Sequence, residues 1–164
     1  MSSFIVDANF FIQAHRVAYP MDVFPIFWEK VSELARQGKI VSLDKVRDEL
    51  YKNPDELTSW CKEALPTDFF EDHTKFINEY SQIINWANTR INHYKPAALA
   101  EFLHADEADA WLIAFALNQN IQLVTHEVSA PNSKKKIKIP DVCNIFSLSY
   151  CNTIELMRQL GVTF

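Results

Sequence analysis

Apolar positions along this chain switch between short unbroken runs and a helical spacing. Phe4-Ile5-Val6 is a run of three apolar residues, two of them β-branched, and predicts a short buried strand that breaks at Asp7. Over 26–37, Phe27, Val31, Leu34 and Ala35 recur at helical spacing, and Gly38 stands where a C-cap belongs. Residues 39–43 predict a second strand. Asp44 is placed to cap a helix over 45–52, which Asn53-Pro54 stops. A helical middle follows, with one helix over 55–64 and a longer one over 72–94 that Pro96 closes. Phe76, Ile77, Tyr80, Ile83, Ile84, Ala87 and Ile91 form the stripe of the longer helix. Residues 106–117 predict a strongly apolar helix, and 121–124 a strand that runs into Thr125-His126-Glu127. Ile137-Lys138-Ile139 alternates like an edge strand ended by Pro140. A helical turn over 141–146 and a helix over 153–160 complete the chain. Strands alternating with helices predict an α/β fold, with a parallel sheet flanked by helices. No repeat, linker or low-complexity tract divides the chain, so residues 1–164 read as one domain.

Composition narrows the chemistry more than the fold. At 164 residues, 48% hydrophobic and 13% aromatic, the chain can bury a substantial core. Its two glycines, Gly38 and Gly161, cannot build a phosphate-cradling loop, a dinucleotide fingerprint or a nucleophile elbow. Three cysteines without C-x-x-C spacing argue against a disulfide scaffold or zinc ribbon. They fit a reducing cytosol, and neither a secretion signal nor a membrane span is visible. A formal net charge of −5 disfavours broad nonspecific binding to nucleic acid while leaving room for a local basic groove. The five histidines show no paired metal spacing, and the four tryptophans read as core or interface.

The acids carry the candidate chemistry. Asp7 ends a buried strand, where a carboxylate is costly unless a cation, a metal or a helix N-terminus meets it. It is therefore a cap for the next segment or the first ligand of a site at the strand ends, where α/β sheets bind ligands. Asp109 stands three, four and seven residues before Leu112, Ile113 and Ala116, at the start of the face that packs on the sheet. Asp106, one turn earlier, has a plain role as N-cap with Asp109 at N3. Glu49 shares its helix with Val46 and Leu50. Glu127 follows its strand directly and should emerge at the same sheet edge as Asp7 if the two strands are parallel. Thr125 can orient a carboxylate or a water there. Carboxylates meeting at one edge repel each other, and a hard divalent ion held by oxygens resolves this. The chemistry implied is metal-assisted hydrolysis of a phosphodiester.

In order, Val6-Asp7-Ala8-Asn9, Val46-Arg47-Asp48-Glu49-Leu50, Asp109 to Ala116 (D-A-x-L-I-A-x-A) and Leu123-Val124-Thr125-His126-Glu127 resemble the PIN domain. This metal-dependent nuclease family is common as the VapC-type toxin of toxin–antitoxin pairs. The stretch Lys136-Ile137-Lys138-Ile139-Pro140-Asp141-Val142-Cys143 is similar to a PIN-like branch assigned to such loci. The resemblance implies a three-layer α/β/α sandwich with a mainly parallel sheet and, at about 55–95, a helical insertion longer than in compact toxins. It implies a cytoplasmic endoribonuclease, the toxin of a type II system, using Mg²⁺ or Mn²⁺ held by Asp7, Glu49 and Asp109. Glu127 would complete the catalytic acids, and Asn9, Thr125 and Asp106 would support them. Either Asp106 or Asp109 can serve as the third ligand.

The partners implied are an RNA substrate and a cognate antitoxin protein, with a homodimer permitted. Lys45 and Arg47 beside Glu49, and Lys134, Lys135 and Lys136, are the candidate RNA contacts. The lysines equally suit protection of an exposed edge strand. Two other readings stay open on the same residues. One is a catalytically silent PIN-like binding module, and the other is a DNA nuclease or phosphohydrolase on the same scaffold.

Overall fold

The computed structural model describes residues 4–164. Strand β1 (Phe4–Val6) runs into helix α1 (Ala8–Gln13), which widens into a π-helical turn over Ala14–Ala18. Helix α2 (Pro25–Arg36), strand β2 (Ile40–Leu43), helix α3 (Asp44–Tyr51) and helix α4 (Glu56–Ala64) follow. Strand β3 (Phe70–Glu71), a 3₁₀ turn over His73–Phe76, helix α5 (Ile77–Asn88) and helix α6 (Pro96–Leu103) lead to helix α7 (Asp109–Gln119). Strand β4 (Gln122–Val124), helix α8 (Ile139–Ile145), strand β5 (Tyr150–Cys151) and helix α9 (Thr153–Leu160) complete the fold. The strands form one five-stranded sheet in the order β3-β2-β1-β4-β5, and every pairing is parallel. Helices flank this sheet as the α/β reading requires, giving a three-layer α/β/α sandwich.

The centre of the sheet is also the centre of the core. Ile5, Val6, Leu43, Leu123 and Val124 have no exposure to solvent, nor do Leu112 and Ile113 of α7 packed against them. Helix α7 is buried along most of its length, Ala110 through Ala116, because its apolar residues surround it rather than forming one stripe. Its C-terminus closes on Asn120 in the left-handed region (φ 53°), a conformation asparagine tolerates better than most residues. Gly38 (φ +71°) and Gly161 (φ +67°) end α2 and α9 in the same region, where their lack of a Cβ removes the strain. A capping box at Asn152 and Glu155 starts α9 at the residue where the periodicity begins.

Several expected elements differ from those observed. Residues 137–139 form no strand. Ile137 and Ile139 are buried as a strand's inner face would be, but Pro140 pre-sets the first turn of α8, which opens at Ile139. The helix expected over 72–94 is broken in two. Asp72 accepts from the Thr74 amide and starts only the 3₁₀ turn, while α5 ends at Asn88. There the Thr89 hydroxyl donates to the Trp86 carbonyl at 2.6 Å and offers the backbone an alternative partner. Ile91 consequently leaves the apolar stripe and is exposed. Pro96, expected only as a stop, opens α6. The two edge strands, β3 and β5, have two residues each and escape any periodicity argument. The stretch 55–95 thus holds α4, β3, the 3₁₀ turn and α5. Cys61, Cys143 and Cys151 are free and buried. None of the described helices is long and apolar enough to cross a membrane.

One buried hydrogen bond ties the sheet together next to Asp7. The Ser42 hydroxyl, wholly buried in β2, donates to the Val6 carbonyl at 2.7 Å. Ser42→Ala removes a partner from the last peptide before Asp7. It should destabilise the protein by about 1–3 kcal/mol in urea unfolding. A loss below about 0.5 kcal/mol would mean that this bond holds nothing in place.

Candidate functional site

The parallel pairing of β1 with β4 builds the site. Val6 lies opposite Val124, so the residues that follow, Asp7 and Thr125, leave the sheet side by side. Asp7 is extended (φ −87°, ψ 177°) and caps α1, its Oδ1 accepting from the Phe10 amide at 2.8 Å. The cap and site readings of Asp7 are therefore compatible, because capping uses one oxygen of a carboxylate that also lines a cleft. Thr125 is buried, and its hydroxyl accepts from the Glu127 amide at 3.1 Å. That local bond ties the backbone after β4 to the Thr125 side chain, and the Glu127 side chain lines the cleft. Asp109 arrives from the other side as the first residue of α7. Glu49 reaches the open rim from α3.

Asp7, Glu49, Asp109 and Glu127 line one cleft of about 100 Å³, large enough for several waters. Two further acids, Glu101 of α6 and Glu107 just before α7, join them, and Asn9 and Lys136 complete the polar lining. Sequence reasoning passed over Glu101 because Pro96 read as the end of a helix and not as the start of α6. Glu107 had a visible signal: it lies two residues before Asp109 in an acidic run. A wider groove of about 730 Å³ lies elsewhere, around Met21, Trp28 and Trp60, and holds none of these acids.

Burial and mutual repulsion act on these carboxylates together. Burial raises the Asp7 pKa to about 7, with Glu127 and Glu49 adding to the rise and the Phe10 amide and Thr125 hydroxyl opposing it. Burial likewise raises Asp109 to about 8, reinforced by Glu127, Asp7 and Glu107 and opposed by Lys136. The N-terminus of α7 favours a negative charge at Asp109, but desolvation outweighs it. Glu49, out at the rim, is raised from its ordinary value by partial burial and by Glu107, with Lys52 and Lys136 pulling the other way.

The remaining candidates stand outside the cleft or at its edge. Asp106 does not cap α7: the cap position is Ala108, without a side-chain bond, and Asp109 falls at N1 and not N3. The Asp106 side chain is exposed and stands 3.9 Å from Lys45 Nζ. Both line a neighbouring hollow of about 290 Å³ that shares Glu49 and Glu107 with the cleft. Between the two acids, Asp109 is the one inside. Arg47 pairs with its neighbour Asp48 at 3.1 Å. Lys134 and Lys135 are exposed on the loop before α8, away from the cleft lining, whereas Lys136 enters it and meets Glu127 at 3.6 Å. Arg47, Lys134 and Lys135 therefore do not join the acids. Among the described residues, Asp44, Asp72 and His73 are a group of three whose possible ligand atoms lie within 4.8 Å of one another. These atoms already serve the fold. Asp44 accepts from the Lys45 and His73 amides and meets the His73 ring at 2.9 Å, and Asp72 caps the 3₁₀ turn.

The cleft's donor set is all oxygen and mostly carboxylate, the chemistry of a hard divalent cation and not of a soft one. Among the described residues no three of its acids bring ligand atoms within 4.8 Å of one another, so an ion there would be held by one or two carboxylates directly and by waters for the rest. A family model described as Domain of unknown function (DUF4411) matches residues 4–164. No curated protein and no solved structure matches the chain.

The raised pKa values predict an unusual pH dependence. Asp7 and Asp109 keep their protons in the folded chain up to about pH 7 and 8, but lose them near pH 4 when unfolded. Between about pH 4 and 8 the unfolded state binds fewer protons, so stability falls as pH rises. In EDTA, the urea midpoint should drop from pH 5 to pH 8. Asp109→Asn should exceed wild type at pH 8 by on the order of 1–3 kcal/mol, with a smaller gain at pH 5. Equal stability of the two proteins at pH 8 would show that Asp109 carries no such burden.

Proposed function

The chain belongs to the DUF4411 family, and we propose that it works as a divalent-metal-dependent endoribonuclease. The observation that carries this reading is the convergence of Asp7, Glu49, Asp109 and Glu127, from four separate stretches of sequence, on one cleft at the end of the parallel strands. Acids held this way, two of them with pKa values near or above neutrality, are poorly suited to a purely structural role. The ordered motifs that resemble the PIN domain support the same chemistry and extend it to a cytoplasmic type II toxin with an antitoxin partner.

Asp7, buried at the end of β1, and Asp109, half-buried at the start of α7, would hold Mg²⁺ or Mn²⁺, with Glu49 closing the rim. The chemistry the ion supplies when bound is a water of lowered pKa and neutralisation of charge on the scissile phosphate. Glu127, whose amide is held by the Thr125 hydroxyl, would orient an attacking water against the phosphorus and accept its proton, while the P–O bond to the leaving ribose oxygen breaks and that oxygen takes a proton from solvent. Asn9, exposed at the cleft edge, offers an amide to the ribose or the phosphate. Lys45, across the shared rim by Glu49, adds a positive contact for the RNA backbone.

The test is cleavage of single-stranded RNA, with single-stranded DNA in parallel. Wild type should cut RNA in Mn²⁺ and stop in EDTA. Asp7→Asn and Asp109→Asn should each lose on the order of 100-fold or more in kcat/KM. Asp7→Asn keeps a cap oxygen for the Phe10 amide, so its loss reports chemistry and not folding. Cleavage that survives EDTA and both substitutions would overturn the reading. Preference for DNA would redirect it to a DNA nuclease, and a folded, Mn²⁺-binding protein that cuts neither would be a binding module.

A further inference from the structure

Lys136 is the one basic side chain among the residues that line the acidic cleft. Its ammonium comes from an exposed loop, with 46% of the side chain open to solvent, to a Glu127 side chain only 15% exposed, at 3.6 Å. The loop backbone around it is anchored. Ile137 and Ile139 are buried on its far side, and the Lys134 carbonyl accepts from the Lys95 amide at 2.8 Å, where α6 begins. The pivot is thus fixed while the four-carbon stem can swing.

We propose that Lys136 is a positioning residue that holds Glu127 in place and competes with the divalent ion for the cleft. The proposal rests on the metal-dependent reading above. Six carboxyl groups line this cleft, and one ammonium partly offsets those that are charged. A fixed positive charge within reach of Glu127 opposes the entry of a second cation. Releasing Glu127 sends the ammonium outward to the cleft mouth, where a substrate phosphate approaches and gives it a new anionic partner. Lys136 therefore makes ion loading cooperative with phosphate binding: the empty cleft is partly guarded, and the substrate removes the guard.

Mn²⁺ calorimetry without RNA tests this on wild type, Lys136→Met, Lys136→Gln and Lys136→Arg, with far-UV circular dichroism on each. The two neutral variants should bind Mn²⁺ on the order of three- to fivefold more tightly than wild type. Lys136→Arg, which keeps the charge, should stay close to wild type. In RNA cleavage at saturating Mn²⁺, the neutral variants should raise KM more than they lower kcat, a split that a merely structural lysine would not produce. Two neutral variants are used so that a folding defect in one leaves the comparison intact. If wild type binds Mn²⁺ and the folded neutral variants bind it equally or more weakly, the competition is refuted while the metal site stands. If neither wild type nor the variants bind Mn²⁺, the metal-dependent reading falls and this proposal with it.

Discussion

The parallel pairing of β1 with β4 is the constraint on which the site depends. It sets Val6 opposite Val124 and thereby delivers Asp7 beside Thr125 at the buried end of the strand pair. The order of the sheet matters as much as the pairing. Because β1 sits in the middle, with β2 on one side and β4 on the other, Asp7 emerges with acids available from both flanks. Helix α3 follows β2 without a loop and carries Glu49 to the rim. The segment after β4 carries Glu127 from the opposite side. Helix α7 starts at Asp109, so the acid lies where the helix meets the strand ends.

This arrangement costs stability, and the cost has a recognisable form. Apolar burial on both faces of the sheet drives folding, and the same burial strips water from Asp7 and Asp109. The Phe10 amide, the Thr125 hydroxyl and Lys136 each offset part of the penalty, yet both carboxyls remain far above their ordinary values. Contrast Asp141, buried as Asp7 is, which accepts from the Ser129 hydroxyl at 2.6 Å and from the Ala130 amide. A carboxylate serving the fold is surrounded by donors in this way. Asp7 and Asp109 are surrounded by other acids, and a fold that needed them only as caps would have no reason to gather them.

Much of this was legible in the residues, and what was not has physical causes. The central strands, helices α2, α3, α4 and α9, and the placing of Asp7 with Glu127 followed from runs and periodicity, which is where burial writes most directly into sequence. The two-residue strands β3 and β5 are stabilised by ladder bonds to β2 and β4, a tertiary effect with no local pattern. Ile137 and Ile139 are buried as expected, but burial of alternate residues over three positions does not distinguish a strand from the approach to a helix opened by proline. The same ambiguity of proline, stop or start, hid α6 and with it Glu101. Asp106 lies in the turn that precedes α7 and not in its first turn, because the helix opens only at Asp109, and its side chain is left exposed outside the cleft.

The basic residues separate along the same lines. Charge alone made Lys134, Lys135 and Lys136 equivalent, and only their position relative to the anchored isoleucines tells them apart. Ile137 and Ile139 turn inward, which fixes the backbone so that Lys136 faces the acids while its two predecessors stay in solvent. Lys45 and Arg47 divide likewise: Lys45 leans over the rim toward Asp106, and Arg47 is engaged by Asp48 beside it. A net charge of −5 therefore says little about the local charge around the cleft. What counts is that positive charge stands at the mouth of an acidic cleft. On the proposed reading, a phosphate would meet Lys136 at the cleft and Lys45 in the neighbouring hollow before it reached the carboxylates that would otherwise repel it.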